Sequence, residues 1–204
     1  MNITDHGSGS TPTPWERPGI FPVYPPMTGF DTADVCVIGA GIAGLSTAYH
    51  LIRDGHTVIV LDDGPVAAGQ TCRSTAHLSN AFDDRYRELE RLRGASVARI
   101  AAESHTAAID RIEALVDEEA IDCDFLRVPG YLLLPSSRAE SALLQEFAAA
   151  QRAGLPVQHL PRAPLPEVDT GPCLMFPRQA QIDPVRYCAG LARAIIARGG
   201  HIYG

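Results

Sequence analysis

The sequence predicts an α/β protein in which a parallel βαβ unit precedes an inserted α+β segment. Residues 34–62, DVCVIGAGIAGLSTAYHLIRDGHTVIVLD, place an apolar strand, a glycine-rich turn, a helix and a second strand in that order. Apolar runs on either side of Pro129-Gly130 are typical of two antiparallel strands around a turn. Residues 199–204 begin one more strand after a long helix, so the parallel sheet is expected to be incomplete, or truncated, in this chain.

The turn of the βαβ unit has the G-x-G-x-x-G spacing of dinucleotide-binding proteins. It follows the apolar run of residues 35–38 and consists of Gly39, Ala40, Gly41, Ile42, Ala43 and Gly44. Gly39 permits the tight turn, Gly41 removes the Cβ that would keep a pyrophosphate away, and Gly44 lets the helix approach the sheet. The free N–H groups at the helix N-terminus would bind the phosphates. The unit is therefore predicted to be Rossmann-like and to bind FAD or NAD(P).

An acidic residue ends the second strand of the unit. The helix is predicted over Ile42–Arg53 and the strand over Thr57–Leu61. Asp62 lies 23 positions after Gly39, close to the offset at which a carboxylate meets a ribose hydroxyl. The pattern of the whole unit is thus more specific than its glycines alone.

Residues 35–52 carry no formal charge, a stretch of 18 that could be taken for a short membrane span. The βαβ interpretation is preferred because Gly39 and Gly41 would weaken a spanning helix. It also explains the residues beyond Arg53, which a span would not. We therefore expect no membrane partner.

Charge and cysteine content exclude further classes of protein. A net charge of −7 without a cluster of Lys and Arg argues against a nucleic-acid partner. The five cysteines are widely spaced and no Cys or His pair has ligand spacing, so no metal site is expected. Scattered reduced thiols favour a cytoplasmic protein. Cys36, inside the first strand, is expected to be a small buried hydrophobe.

The predicted domain organisation has three parts. Residues 1–33 form a flexible, proline-rich N-terminal arm without the apolar core of a signal peptide. Within the arm, Pro22–Pro26 could lie as polyproline II across a neighbouring surface, although a disordered tail is the preferred interpretation. Residues 34–204 form the nucleotide-binding domain, with a helical and antiparallel insertion at about 81–180.

A long Gly/Ser/Thr-rich loop, Gly64–Asn80, follows the βαβ unit, and its length suggests a function. Both helices and strands are predicted after this loop. Helices are predicted over Asp83–Arg93, Ala95–Glu119, about Arg138–Arg152, and Asp183 to about Arg198. Asp183 is the predicted N-cap of the last helix, with Pro184 in its first turn. Strands are predicted over Asp124–Val128, Tyr131–Leu134 and near Val157, the last leading into a proline-rich connection. The second helix is expected to bury a stripe consisting of Val97, Ala101, Ala108, Ile112 and Leu115.

From Asp34 onward the sequence resembles the FAD-dependent oxidoreductases of the D-amino-acid-oxidase-like family, which includes glycine and sarcosine oxidases. The resemblance covers about residues 34–204 and rests on VCVIGAGIAGLSTAYHL, VIVLDDGPVAAGQTCRSTAHLSN and DTGPCLMFPRQAQIDPVRYCAGLARAI. It is closest to the bacterial subgroup in which a Rieske iron–sulfur domain follows the flavin domain. This sequence has no His/Cys cluster for such a centre, so the chain resembles the N-terminal portion of a longer enzyme.

The resemblance implies a site for FAD. It places Gly39, Gly41 and Gly44 at the pyrophosphate. It places Asp62 at the adenosine ribose, where family members usually carry Glu, with Asp63 as the alternative. The loop along the pyrophosphate and flavin is matched by Gly69, Thr71, Ser74, Thr75, Ala76, His77 and Leu78, with His77 near the isoalloxazine. Backbone N–H groups and short hydroxyls suit this loop because they donate to phosphate and ring oxygens without filling the slot. Cys72 stands where a small or glycine-like residue is expected.

The function implied by the resemblance is oxidation of a small amine or amino-acid-like donor by hydride transfer to flavin N5. The implied partners are the small-molecule substrate and a redox partner or Rieske domain supplied by a longer form, and no catalytic residue is assigned. An NAD-dependent dehydrogenase is an alternative that uses the same fingerprint, although the Ser/Thr-rich loop favours FAD. A second alternative is a truncated, inactive fragment, unstable on its own, that binds a nucleotide weakly or not at all.

Overall fold

The chain is a mixed α/β protein with a Rossmann-like βαβ unit, as predicted, in a computed structural model that describes residues 13–15, 19, 21–133 and 140–204. Its strands are Val35–Ile38 (β1), Val58–Leu61 (β2), His77–Leu78 (β3), Leu126–Leu133 (β4), Gln158–Leu160 (β5), Cys173–Gln181 (β6) and His201–Tyr203 (β7). Its helices are Ile42–Arg53 (α1), Tyr86–Arg93 (α2), Ala95–Glu118 (α3), Glu140–Arg152 (α4) and Pro184–Ala197 (α5), with a 3-10 turn at Thr71–Arg73. Arg138 and Leu134, at the ends of two predicted elements, lie outside the described residues.

The described residues form two compact units. The first takes its residues from 1–76, 115–125 and 182–204, and the second from 77–114 and 126–181. The chain passes from the second unit to the first within α3, after Ala114. The domain limits expected from the sequence remain predictions.

A three-stranded parallel sheet in the order β1-β2-β7 forms the centre of the first unit. β1 pairs with β2 from Val35 to Ile38, and β7 pairs with the other edge of β2. Both crossovers move in the same direction across the sheet. Because parallel crossovers are right-handed, α1 and α5 therefore lie on the same face, where they pack against each other. The predicted third parallel strand at the end of the chain is confirmed.

The two faces of this sheet differ. Alternate strand residues point to opposite faces, and α1 covers the face of Val37, whose Cγ1 would lie 3.3 Å from a Cβ placed at Gly44. Cys36 and Ile38 point to the opposite face, where Cys36 is exposed and Ile38 is 77% exposed. The prediction of a buried Cys36 is wrong, because position 36 lies on the face of β1 opposite α1, where its side chain is exposed.

Helix α5 begins as its sequence predicts. Asp183 is buried, and its Oδ1 accepts hydrogen bonds of 3.0 Å from the backbone N–H groups of Val185 and Arg186. Pro184, which has no N–H to satisfy, occupies the first turn. The N-cap prediction is therefore confirmed by its hydrogen-bond geometry.

The second unit contains an antiparallel sheet with β6 at its centre. β6 pairs with β3, β4 and β5. Two predictions are wrong here: β6 occupies the expected proline-rich connection, and the expected hairpin is the single strand β4. Pro129 and Pro177 do not end these strands because both lie where the register shifts between the pairs Val128↔Gln179 and Gly130↔Phe176. A β-bulge tolerates the missing proline N–H groups.

The buried stripe of α3 is displaced by one position from the predicted one. Ala98, Ala102 and Ile109 are buried, whereas Val97 and Ala108 are exposed, and Leu115 is buried as predicted. The helix is rich in alanine, so two adjacent stripes fit the same three- and four-residue spacing. The core of the second unit contains Tyr86, Ala98, Ala102, Leu143, Ala149, Ala150, Ala153, Leu155, Val157, Leu174 and Phe176.

A buried carboxylate from α4 caps α2. Glu146 is 3% exposed and accepts hydrogen bonds from the backbone N–H groups of Tyr86 (2.8 Å) and Arg87 (3.0 Å). Glu146→Ala would leave both donors without this acceptor, so we expect the free energy of unfolding to fall by about 2–4 kcal/mol. Chemical denaturation measures the loss, with Gln151→Ala on the exposed face of α4 as the matched control. Equal unfolding midpoints for the two variants would contradict the capping role.

None of the helices in the described part of the chain is both long and apolar enough to cross a membrane.

Candidate functional site

The glycine-rich turn between β1 and α1 uses its three motif glycines in three different ways. Gly39 has a φ of +102°, a conformation that side chains rarely adopt, and its N–H donates to the carbonyl of Leu61 at 2.7 Å. A Cβ at Gly44 would lie 1.9 Å from the carbonyl oxygen of Gly39, so only glycine permits this approach of helix to turn. Gly41 has an ordinary φ of −81°, and a Cβ there would meet only Thr71 Oγ1, at 3.0 Å. Glycine at position 41 is therefore not required by the backbone.

The N-terminus of α1 presents donors beside this turn. Gly41 is the N-cap and provides no side chain to cap the helix. The N–H of Ile42 donates to Thr71 Oγ1 at 3.1 Å, and no acceptor among the described residues bonds the N–H of Ala43 or Gly44. Two N–H groups and the positive end of the helix dipole are thus available to an anion.

Asp62 lies directly against the same turn. Its Oδ2 accepts a hydrogen bond of 2.5 Å from the N–H of Ala40, and its Oδ1 accepts one of 3.1 Å from the N–H of Gly64. Each carboxylate oxygen can accept a second hydrogen bond. Asp62, although shorter than the glutamate usual in the family, can therefore hold the turn and still accept a hydrogen bond from a hydroxyl of a ligand. Asp63, the alternative residue, is exposed.

The loop after Asp62 folds back onto the turn. The N–H of Ala67 donates to the carbonyl of Ala40 at 3.1 Å, and the carbonyl of Ala67 accepts from the N–H of Cys72 at 3.1 Å. Cys72 is buried, and its Sγ bonds the carbonyls of Ala68 (3.3 Å) and Gly69 (3.2 Å). The departure from a glycine-like residue at position 72 thus has a structural role in the loop. Burial raises the pKa of two other thiols, Cys123 to about 11 and Cys188 to about 12, so both are protonated at neutral pH.

The structure distributes the remaining predicted site residues over both units. Gly69, Ser74 and Thr75 are exposed in the first unit, and Ala76 is buried there with a positive φ of 61°. His77 and Leu78 form β3 in the second unit, where they pair with Gln181 and Ala180. The placement of His77 near a flavin stays a prediction.

Trp15 of the N-terminal arm makes a contact to this loop that sequence reasoning missed. The indole N–H of Trp15 donates to the carbonyl of Ser74 at 3.0 Å, across 59 positions of sequence. No local pattern predicts such a contact, since Trp15 precedes the first regular element by many residues.

The residues present fit a dinucleotide cofactor. An open glycine, two available helix N–H groups, a threonine hydroxyl and a carboxylate all lie around one turn. The N–H and hydroxyl donors suit a pyrophosphate, and the carboxylate acceptor suits a ribose hydroxyl. The fold and site define a dinucleotide-binding protein of the Rossmann-like class.

The chain belongs to the family of FAD-dependent oxidoreductases, whose profile matches residues 34–204. It is 31% identical over 191 residues to YhfW of Bacillus subtilis, whose name marks it as a Rieske 2Fe-2S iron-sulfur protein; the match covers 94% of this chain and 37% of that one. It is 28% identical over 179 residues to γ-glutamylputrescine oxidoreductase of Escherichia coli, covering 84% and 41%. The glycine motif alone is compatible with FAD or NAD, and membership of this family identifies the cofactor as FAD.

Solved structures agree with this fold. Glycine oxidase from Geobacillus kaustophilus superposes with a TM-score of 0.66 at 22% identity, covering 84% of this chain and 46% of that one. L-Amino acid deaminase from Proteus myxofaciens superposes with a TM-score of 0.71 at 17% identity, covering 90% and 40%. The chain therefore spans less than half the length of these relatives.

Proposed function

We propose that the protein is an FAD-dependent oxidoreductase that oxidises a small amine or amino-acid-like donor. The observation that carries the proposal is the glycine turn, where Gly41 lacks a side chain although its backbone would accept one. The absence of a Cβ at an unstrained position is explained by a ligand that must approach the backbone closely. The names of the relatives, which include an amine-derivative oxidoreductase and a glycine oxidase, support the substrate class.

Each of the site residues has a task in this proposal. The N–H groups of Ala43 and Gly44 bind the pyrophosphate, and the Thr71 hydroxyl donates to it. Asp62 accepts from a ribose hydroxyl while it holds the turn through Ala40. FAD, once bound, supplies the hydride acceptor for the donor substrate. The chain itself binds and orients the cofactor.

The first experiment identifies the cofactor and the donor. We expect the purified protein to be yellow and to release FAD on denaturation, as chromatography of the released flavin would show. Anaerobic addition of small amines or amino acids should bleach the visible absorbance of the oxidised flavin, because the cofactor accepts the hydride. A colourless, folded protein that binds NAD would overturn the proposal, and one that binds neither nucleotide would favour an inactive fragment.

The threonine hydroxyl at the N-terminus of α1 gives a second test. Thr71→Val preserves the shape of the side chain but removes the hydroxyl that Ile42 N–H contacts and that would donate to phosphate. We expect FAD to bind about 10- to 100-fold more weakly, the effect of one lost hydrogen bond to a charged group. Thr71→Ser should restore the affinity, and Thr75→Val, at an exposed position of the same loop, should change it less. Unchanged affinity in Thr71→Val would show that the Thr71 hydroxyl does not contact the cofactor.

The same proposal includes an electron acceptor and a location. We propose that reducing equivalents pass to a redox partner or to a Rieske domain of a longer form, which the name of the Bacillus subtilis relative supports. We also propose a cytoplasmic location, because no disulfide joins the five cysteines. The electron acceptor is tested by mixing the reduced protein anaerobically with a ferredoxin-type acceptor and measuring the initial rate of flavin reoxidation. A rate equal to that in buffer alone would contradict the proposed acceptor.

A further inference from the structure

Residues 21–31 of the arm, here called the strap, are hydrogen-bonded to other parts of the first unit at several points. The carbonyl of Pro22 accepts from the N–H of Val66 at 3.1 Å, and the carbonyl of Pro25 accepts from the N–H of Gly204 at 3.2 Å. Phe21, Pro22 and Tyr24 are partly buried, whereas most other strap residues are exposed. Burial raises the pKa of Tyr24, so its hydroxyl stays protonated at neutral pH.

The far end of the strap is fastened to β7. Asp31 Oδ2 accepts hydrogen bonds from the hydroxyl of Tyr203 (2.9 Å) and is 2.8 Å from Nδ1 of His201. These contacts and the Thr32 N–H hold the pKa of Asp31 below its ordinary value, so the carboxylate is ionised at neutral pH. His201 and Tyr203 flank the buried Ile202 and therefore point to the sheet face opposite the helices.

The strap is in contact with the loop that carries the candidate cofactor residues. Val66 is the residue before Ala67, which is bonded to the glycine turn through the Ala40 carbonyl. A Cβ at Gly204 would lie 3.1 Å from the Gly64 carbonyl and 3.4 Å from the Tyr24 carbonyl, so strap, loop and β7 meet there closely. Trp15 contacts the other end of the loop at Ser74.

We propose that Trp15 and Asp31 are positioning residues for the cofactor. Trp15 holds the loop of residues 64–76 directly, at Ser74, and Asp31 holds it through the strap, in the shape that receives FAD. The affinity for FAD therefore depends on the N-terminal arm. This inference rests on the proposed function and extends it to residues that precede the nucleotide-binding motif. Loops held by few contacts open easily, and fixing a loop in its binding shape lowers the cost of binding.

Three variants test these contacts of the N-terminal arm. Trp15→Phe keeps an aromatic ring but removes the N–H that Ser74 accepts, and Asp31→Ala releases the strap from β7. Tyr203→Phe, which removes one donor to Asp31, is the milder variant if Asp31→Ala does not fold. Phe30→Ser is the matched control, because Phe30 lies in the strap with its side chain fully exposed. Each apoprotein is titrated with FAD, and its melting temperature and amide exchange are measured without FAD.

We expect FAD to bind about 3- to 10-fold more weakly to Trp15→Phe and Asp31→Ala, and normally to Phe30→Ser. The double variant should lose less than the product of the two effects, because both act through one loop. The Val66 amide should exchange faster in Asp31→Ala while the amides of Val58–Leu61 do not. The proposal would be overturned if the loss of FAD affinity across the variants were proportional to the loss of melting temperature. Unchanged FAD affinity in both variants would also overturn it.

The wild-type titration separates this inference from the proposed function. Trp15 is the single tryptophan of the chain, so all indole emission reports on this contact, and FAD binding should change it. A wild-type protein that does not bind FAD would count against the proposed function. Hydrogen exchange of the Val66 amide is measured without cofactor and therefore still tests whether the strap holds the loop. Unchanged exchange of this amide in Asp31→Ala would overturn the proposal.

Discussion

Gly44→Ala is expected to lower the free energy of unfolding by about 3 kcal/mol or more, whether or not cofactor is present. The new Cβ would lie 1.9 Å from the carbonyl oxygen and 3.0 Å from the carbonyl carbon of Gly39. Both atoms belong to the backbone of the turn, which is held by Leu61, so α1 must move away from the sheet. Moving α1 would disrupt its packing against β1 and α5. Since domains are stable by only about 5–15 kcal/mol, this single methyl group could unfold the first unit.

Chemical denaturation of the purified apoprotein measures this loss. Gly69→Ala is the matched control, because a Cβ at Gly69 meets nothing within 4 Å and no unusual backbone dihedral is required there. We expect its unfolding midpoint to stay close to that of the wild type. An unfolding midpoint for Gly44→Ala equal to that of Gly69→Ala would mean that the helix does not approach the turn as described.

Local chemistry made the βαβ unit predictable. The apolar period changes from strand to helix within the contiguous stretch 34–62, and the glycine positions are dictated by backbone geometry that the sequence displays directly. The N-cap Asp183 was predictable for the same reason, since its partners are two and three residues away. Elements specified by near neighbours in sequence were thus identified correctly.

The antiparallel sheet was not predictable from its own residues. β6 contains Pro177, which argues against a central strand unless a bulge accommodates it, and the bulge appears only when β6 is paired with β4. A hairpin at Pro129-Gly130 would have closed the shortest loop, and the observed pairing of β4 with a strand about 50 residues later is invisible to local patterns. Long-range pairing decided this part of the fold.

The candidate site also contains one part that local sequence predicts and one part that depends on long-range contacts. Gly39–Gly44 and Asp62 follow a motif, and the structure brings them together through the contact of Asp62 with Ala40. The bonds from the Cys72 thiol to its loop and from Trp15 to Ser74 depend on the three-dimensional path of the chain. Sequence reasoning therefore found the residues of the turn and missed those that hold the loop.

Gly41→Val should separate cofactor binding from folding. The backbone at Gly41, with φ −81° and ψ −176°, is open to any residue, and the added Cβ would meet only the flexible Thr71 side chain. We therefore expect the apoprotein to lose less than about 1 kcal/mol in free energy of unfolding. The valine methyl groups would occupy the space that a pyrophosphate needs beside the N–H groups of α1. FAD affinity should consequently fall by about 100-fold or more.

A graded series makes this result specific to the approach of phosphate. Gly41→Ala adds one methyl group and should weaken FAD binding less than Gly41→Val, whereas Thr47→Val places a valine at an exposed position of the same helix and should leave the affinity unchanged. Titration of each apoprotein with FAD gives the dissociation constants, and denaturation gives the stabilities. If Gly41→Val bound FAD as tightly as Thr47→Val, the glycine turn would not face the phosphates. The loss of glycine at position 41 would then have no consequence for the ligand, and the assignment of FAD to this turn would be wrong.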